Sequence, residues 1–216
     1  MSTAAVASRP TEALDDHGDP AALASPATRY NAVDRNGPNI LIGEYNVANG
    51  TSRNPTSNLA EAAFLAGTVR NADVVIGSAY LPALTSVGNW PWSSNLIGFK
   101  MFGTMTGDHV VPTKLTGADA SVQQVATRTV GGSVYVTVVN RGTTAVPAQV
   151  EITGARSVAG TATATTLYGD PAAHNSIYSP ATWRQPRPRS RPATRPRITR
   201  LTHPTRGASP GHGHGL

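Results

Sequence analysis

Glu44 is the first residue of this chain whose type and position together could do chemistry. It closes the run Asn36-Gly37-Pro38-Asn39-Ile40-Leu41-Ile42-Gly43-Glu44-Tyr45, where Gly-Pro punctuates and Ile40-Leu41-Ile42 reads as a buried strand. In barrels of alternating strands and helices the chemistry sits at the C-terminal strand ends, so a carboxylate there is a candidate catalytic group. A solvated strand-end carboxylate, or one capping the next loop, would occupy the same place, and position alone leaves both readings open. The second set is Trp90 and Trp92, inside the loop Leu81 to Trp92 that Pro82, Gly88 and Pro91 break. A flat apolar ring complements the C–H face of a sugar ring, and it equally well packs on a domain junction. His212 and His214 have the spacing of a weak chelator, but two histidines on a flexible end do not make a specific metal site.

These groups need elements to position them. Leu59, Ala62, Ala63, Ala66 and Val69 recur at helical steps, with Phe64 and Leu65 widening the face, which predicts a helix from about Asn58 to Arg70. Thr56 or Ser57 is the expected N-cap. Gly67 inside it costs about 1 kcal/mol relative to Ala, and a close helix–sheet approach would explain it. A second apolar run, Val74-Val75-Ile76, follows. Strand, helix, strand at this spacing is a βαβ unit with a parallel sheet.

From His109 the pattern changes to short, β-branched, alternating segments: Val110-Val111, Val122 to Thr127, Ser133 to Val139, Val146 to Ile152 and Ala162 to Leu167. Turns such as Gly131-Gly132 and Asn140-Arg141-Gly142 separate them, the arrangement of a β-sandwich. No His, Asp or Glu clusters in those strands, so the module reads as structural. The ends differ from both parts. Met1 to about Thr28 mixes small residues and prolines without periodicity and is expected to be disordered or linker. After Trp183 come Arg-Pro repeats, with six prolines from Pro186 to Pro210, and an extended, solvated tail is expected.

The chain has 216 residues, 39% hydrophobic and 6% aromatic, short of the roughly 250 of a complete eight-fold barrel. It has no cysteine, which excludes disulfides and thiolate metal sites. Its net charge of +6 is uneven: eight of the 18 basic residues and none of the 12 acids lie beyond Trp183. The body therefore carries ten bases against 12 acids, and no basic face for nucleic acid survives that division. An arginine-tail arm for nucleic acid and a functionless extension both remain as readings of the tail. Met1 to Ser25 lacks the apolar stretch of a signal peptide, and nothing approaches a membrane span, so neither a leader nor a membrane partner is expected. The compartment stays open.

Several blocks occur in a fixed order: Thr28-Arg29-Tyr30, Asp34 to Pro38, Gly43-Glu44-Tyr45, Leu59 to Gly67, Arg70 to Val75, Ser78 to Pro82 and Asn95 to Phe99, then Asn140-Arg141-Gly142 and Leu167 to Asp170. Over roughly Thr28 to Ile177 this resembles the C-terminal part of the α-L-arabinofuranosidases of glycoside hydrolase family 51. The resemblance implies an α/β barrel fragment over residues 29–99, an incomplete β-sandwich over 100–178, a disordered N-terminus over 1–28 and a disordered basic tail over 179–216. It implies a retaining glycosidase that releases terminal L-arabinofuranosyl residues from hemicellulose-type glycans, with Glu44 as nucleophile. Tyr80, Trp90 and Trp92 would be substrate-binding residues. The partner is an arabinose-containing oligo- or polysaccharide, no metal or cofactor is implied, and a homo-oligomer is compatible with the family.

The chain also departs from that pattern. The family's acid/base group is a glutamate in an Asn-Glu block, and no Asn-Glu pair occurs here. Asp34, Glu61 and Asp73 are the nearest carboxylates, and their predicted positions do not suit the role. The blocks leading into Leu59 and out of Phe99 are shortened, and Arg-Pro repeats replace further strands after Ile177, as in a truncated and frame-shifted copy. The alternative reading is a catalytically inactive β-sandwich fragment with at most weak sugar affinity. The isolated chain is expected to be silent as an enzyme, with a barrel segment that is marginal or docks against the sandwich, and with the sandwich the more stable unit.

Overall fold

The computed structural model describes residues 11–17, 27–45, 55–80, 95–170 and 189–192. Trp90, Trp92, Trp183, His212 and His214 lie outside the described residues.

Three strands, β1 (Ala13–His17), β2 (Asn39–Tyr45) and β3 (Val75–Tyr80), form a parallel sheet in that order, with β2 central. The predicted βαβ unit is present, and β1 adds a strand inside the stretch expected to be disordered. Ala-Leu-Asp-Asp-His has no apolar period to announce it. Its order comes from its partner: Ala13 through Asp16 pair with Asn39 through Ile42, and the Asn39 N–H donates to Glu12 O at 2.9 Å. Asp16 then accepts from Arg29 Nη2 at 2.7 Å and from the Tyr30 hydroxyl at 2.9 Å, tying β1 to the helical turn Thr28–Ala32.

The helix α1 (Pro55–Arg70) joins β2 to β3 and begins one turn earlier than predicted. Pro55 takes the first helical position, where its missing N–H is no loss, so Thr56 and Ser57 lie within the first turn and not at the cap. Burial is not confined to the predicted stripe. Asn58, Glu61, Ala63, Phe64, Leu65, Ala66, Gly67 and Thr68 are all buried, because α1 is enclosed on several sides. The parallel sheet covers one side, α2 (Asn95–Thr104) another, and β5 (Val122–Arg128) and β6 (Val134–Asn140) a third. Helix α2 runs unbroken through the boundary expected between residues 99 and 100.

The larger core lies around the parallel sheet. Tyr30, Ile40, Ile42, Tyr45, Phe64, Val74 and Val75 form one buried cluster, with Leu14, Tyr80, Phe99 and Phe102 packed against it. Of the two expectations for this segment, marginal or docked, the structure shows docking: α1 packs on β5 and β6, and Arg70 Nη1 donates to Gln124 O at 3.0 Å. The other face of the sheet is open: Leu41 is 43% exposed and Ile76 58% exposed. Among the described residues the sheet is thus covered on its α1 side only, where Ile40, Ile42, Val74 and Val75 are buried.

The C-terminal part is β-rich, as predicted. β4 (His109–Val111), β5 and β6 make an antiparallel sheet, and β7 (Thr161–Ala164) pairs with β8 (Arg189–Pro192) in a second. Two details differ from the expectation. Val146 to Ile152 is not a strand beyond an isolated bridge at Val146, since Pro147 has no N–H to give to a ladder. Conversely, Arg189–Pro192 within the supposedly disordered tail is a strand, with its proline at the terminal position where the missing donor is tolerated. No described helix is long and apolar enough to cross a membrane.

Candidate active site

The site is built by an irregularity in β2. Side chains alternate along a strand, so Ile40 and Ile42, both buried against α1, would put residue 44 on the same inward face. The ladder slips before that happens. Asp16 pairs with Ile42, but His17 pairs with Glu44, leaving Gly43 as an extra residue on β2. The other neighbour records the same step: Ile42 pairs with Ser78 and Tyr45 with Tyr80. Such a bulge re-aims the side chains beyond it. Tyr45 takes the inward place, 2% exposed, and the Glu44 carboxylate turns out at the C-terminal end of the strand, 42% exposed.

At that end three side chains from two strands meet. Glu44 Oε2 lies 4.0 Å from His17 Nδ1, and His17 Nε2 lies 3.1 Å from Asp15 Oδ2. The second oxygen of Asp15 accepts the Gly43 N–H at 3.1 Å. Asp15 and Asp16 therefore serve opposite faces, the first the site and the second the helical turn beneath β1. Chemically the arrangement offers a solvent-accessible carboxylate with a histidine beside it and a second carboxylate orienting that histidine. Among the described residues no three or more such side chains are arranged to hold a metal ion.

Glu44 is thus presented as the sequence suggested, but Asp15 and His17 escaped the sequence reading. Their strand is polar, and the contact between Asp15 and Gly43 spans 28 residues. The one available signal is the alternation in Asp15-Asp16-His17, which sets a carboxylate and an imidazole on one face of any strand formed there.

Tyr80 goes elsewhere. Its hydroxyl donates to Glu61 Oε1 at 2.6 Å, and its ring packs on Phe99 at 4.7 Å and edge-on to Tyr45 at 5.4 Å. It belongs to the aromatic core on the α1 side of the sheet, away from Glu44, and the structure does not bring the two together. Burial raises the Tyr45 hydroxyl well above the ordinary tyrosine range, against a lowering hydrogen bond from Ser78. Glu61 is 2% exposed in that core, Asp34 accepts the Asn36 N–H at 2.9 Å, and Asp73 pairs with Arg35 at 3.1 Å. Asp34 and Asp73 precede their strands, and Glu61, though it reaches the Tyr45–Tyr80 end, lies on the α1 face of the sheet and not on the face of Glu44. The positions of Trp90 and Trp92 lie outside the described residues.

With this geometry established, comparison places the chain among known proteins. Residues 43–194 match the family model of the alpha-L-arabinofuranosidase C-terminal domain. Over 102 residues the chain is 36% identical to an extracellular exo-alpha-L-arabinofuranosidase of Streptomyces chartreusis, covering 41% of this chain and 12% of that protein. Over 163 residues it is 32% identical to a probable alpha-L-arabinofuranosidase A of Aspergillus terreus, covering 68% of this chain and 25% of the relative. Among solved structures, an arabinose-bound MgGH51 α-L-arabinofuranosidase superposes with a TM-score of 0.69 at 23% identity, over 83% of this chain and 33% of that one. The α-L-arabinofuranosidase of Thermotoga maritima, solved as an arabinose complex, does so at 0.60 and 15% identity, over 83% of this chain and 48% of that one.

Proposed function

Because the chain belongs to the α-L-arabinofuranosidases of glycoside hydrolase family 51, carrying their C-terminal region, we propose that Glu44 is the nucleophile of a retaining arabinofuranosidase site. In this reading β1, β2 and β3 are consecutive strands of a (β/α) barrel, and α1 is one of its outer helices. The observation that carries it is the bulge at Gly43, which turns Glu44 out at the C-terminal end of β2 where barrel enzymes do their chemistry. The substrate class is a terminal L-arabinofuranosyl unit on a hemicellulose-type glycan.

A Glu44 oxygen attacks the anomeric carbon as the bond from that carbon to the aglycone oxygen breaks. A covalent arabinosyl ester forms, and water later cleaves it. Ordinary retaining sites hold a second carboxyl group about 5–5.5 Å away to protonate the departing oxygen and then deprotonate water. No Asn-Glu pair supplies that group here, which favours a second reading for this chain on its own: an inactive β-rich fragment.

A dinitrophenyl α-L-arabinofuranoside separates the two readings, because its leaving group needs no proton. Intact mass of the full chain should show one added arabinosyl group, mapped to Glu44 and lost in Glu44→Gln. A chain that gains no sugar under these conditions is the inactive fragment.

A further inference from the structure

We propose that Asp15 is a positioning residue for Glu44: it fixes the proton on His17 so that ring atom Nδ1 faces the nucleophile, in a space that exists because residue 43 has no side chain. The proposal rests on the reading of Glu44 as nucleophile and adds to it the two residues that aim it.

A carboxylate oxygen only accepts hydrogen bonds. The 3.1 Å contact between His17 Nε2 and Asp15 Oδ2 therefore sets the ring proton on Nε2. Nδ1, 4.0 Å from Glu44 Oε2, is left without a proton, so the neutral ring turns an acceptor and not a donor toward the nucleophile. The carboxylate is thus set beside the ring without an N–H donor tying up the oxygen lone pairs that attack. A ring with its proton on Nδ1 would point that N–H at Glu44 and draw charge from the attacking oxygens.

Asp15 is in turn held by the backbone, since its Oδ1 accepts the Gly43 N–H at 3.1 Å. A Cβ built on Gly43 would overlap that same Oδ1. The residue that makes the bulge is thus also the one that makes room for Asp15. The three side chains are 42–60% exposed, and exposed ion pairs contribute little to stability, so holding the fold together does not account for the chain of contacts.

Asp15→Asn tests this in the full chain. The amide oxygen still accepts from Gly43, while the amide nitrogen is a donor and requires His17 Nε2 to accept, moving the ring proton to Nδ1. Nitrogen-15 spectra of the neutral ring should show protonation on Nε2 in the parent chain and on Nδ1 in the variant, with the melting temperature unchanged. Labelling of Glu44 by the dinitrophenyl arabinofuranoside should slow at least about tenfold at unchanged apparent affinity, the range seen when an orienting partner is removed. Asp15→Ala, which also deprives Gly43 of its acceptor, should lower both the melting temperature and the labelling rate. An unchanged tautomer, or equal labelling rates in parent and Asn variant, overturns the proposal. A parent chain that never labels removes the nucleophile reading alone. The tautomer, with the shift of the His17 Nδ1 resonance expected in Glu44→Gln, then still decides whether Asp15 aims the ring at position 44.

Discussion

A methyl group at position 43 meets the far end of a side chain and no backbone, so Asp15 can swing away at low cost. Gly43→Ala should therefore cost no more stability than Asp15→Ala, which loses the same hydrogen bond to the residue 43 N–H, while releasing His17 from Asp15 and slowing covalent labelling of Glu44 about as much as Asp15→Asn does. Labelling rate and melting temperature, measured together, check it; a large stability loss with normal labelling would contradict it. Tyr30 supports a second prediction. Burial, opposed by the adjacent Arg29 and reinforced by Asp16, pushes its hydroxyl up to about 12 from an ordinary value of 10.0. The folded chain then holds a proton that the unfolded chain releases first. The stabilisation is complete below pH 10 and is lost as pH rises toward 12, with Tyr45 shifted in the same direction. Urea midpoints should fall steeply in that window, and less steeply in Tyr30→Phe. Glu44 was legible in the sequence because Gly-Glu ends an apolar run. Asp15 and His17 were not, since what makes them a site is a ladder to a strand more than 20 residues away. The surroundings of Tyr80 were not legible, because an aromatic residue at a strand end looks the same whether it faces a sugar or a neighbouring helix.

Helix α2 reaches α1 through a glycine. A Cβ at Gly98 would stand 2.8 Å from Asn58 Oδ1, and Asn58 is 1% exposed, so its amide has little room to yield. Gly103, on the same helix, would meet nothing within 4 Å. The two positions make a paired prediction. Gly103→Ala should stabilise by about 0.5–1 kcal/mol through helix propensity alone. Gly98→Val should destabilise by about 1–3 kcal/mol, because the helices must part. Denaturant midpoints read both, and equal effects would mean that α2 does not pack on α1 as described. At this scale the sequence revealed β2, α1, β3 and most of the first antiparallel sheet, whose apolar periods are strong. It failed where pairing overrides composition. β1 is polar and β8 lies among Arg-Pro repeats, yet each is a strand because a partner completes its ladder. Val146 to Ile152 has the β-branched composition of a strand, and Pro147 denies it one.

For the molecule as a whole, the open sheet face and the partner of Glu44 lead to one expectation. Leu41 and Ile76 stand exposed on the face that a closed barrel would cover, and the chain spans 12% and 25% of two curated relatives and 33% of the arabinose-bound structure. Among the described residues, the ion-pair partner of the Glu44 carboxylate is an imidazole backed by Asp15. With Asp15 engaged by His17 and Gly43 and no further carboxylic acid beside Glu44 among the described residues, the two halves of a retaining reaction should respond differently to chemistry supplied from outside. Expulsion of dinitrophenolate needs no proton, so the arabinosyl ester should form. Expulsion of an alkyl alcohol does, and should be slower by the loss of general-acid catalysis, about 10²–10⁴-fold. Hydrolysis of the ester needs a base for water, whereas azide attacks without one. The full chain should therefore release about one equivalent of dinitrophenolate in a burst and then stall, and azide should restore turnover with arabinofuranosyl azide as product. Alkyl arabinofuranosides cleaved as readily as the dinitrophenyl glycoside, with no response to azide, would mean that a working acid/base group stands beside Glu44 and that this chain carries a more complete site than its described residues contain.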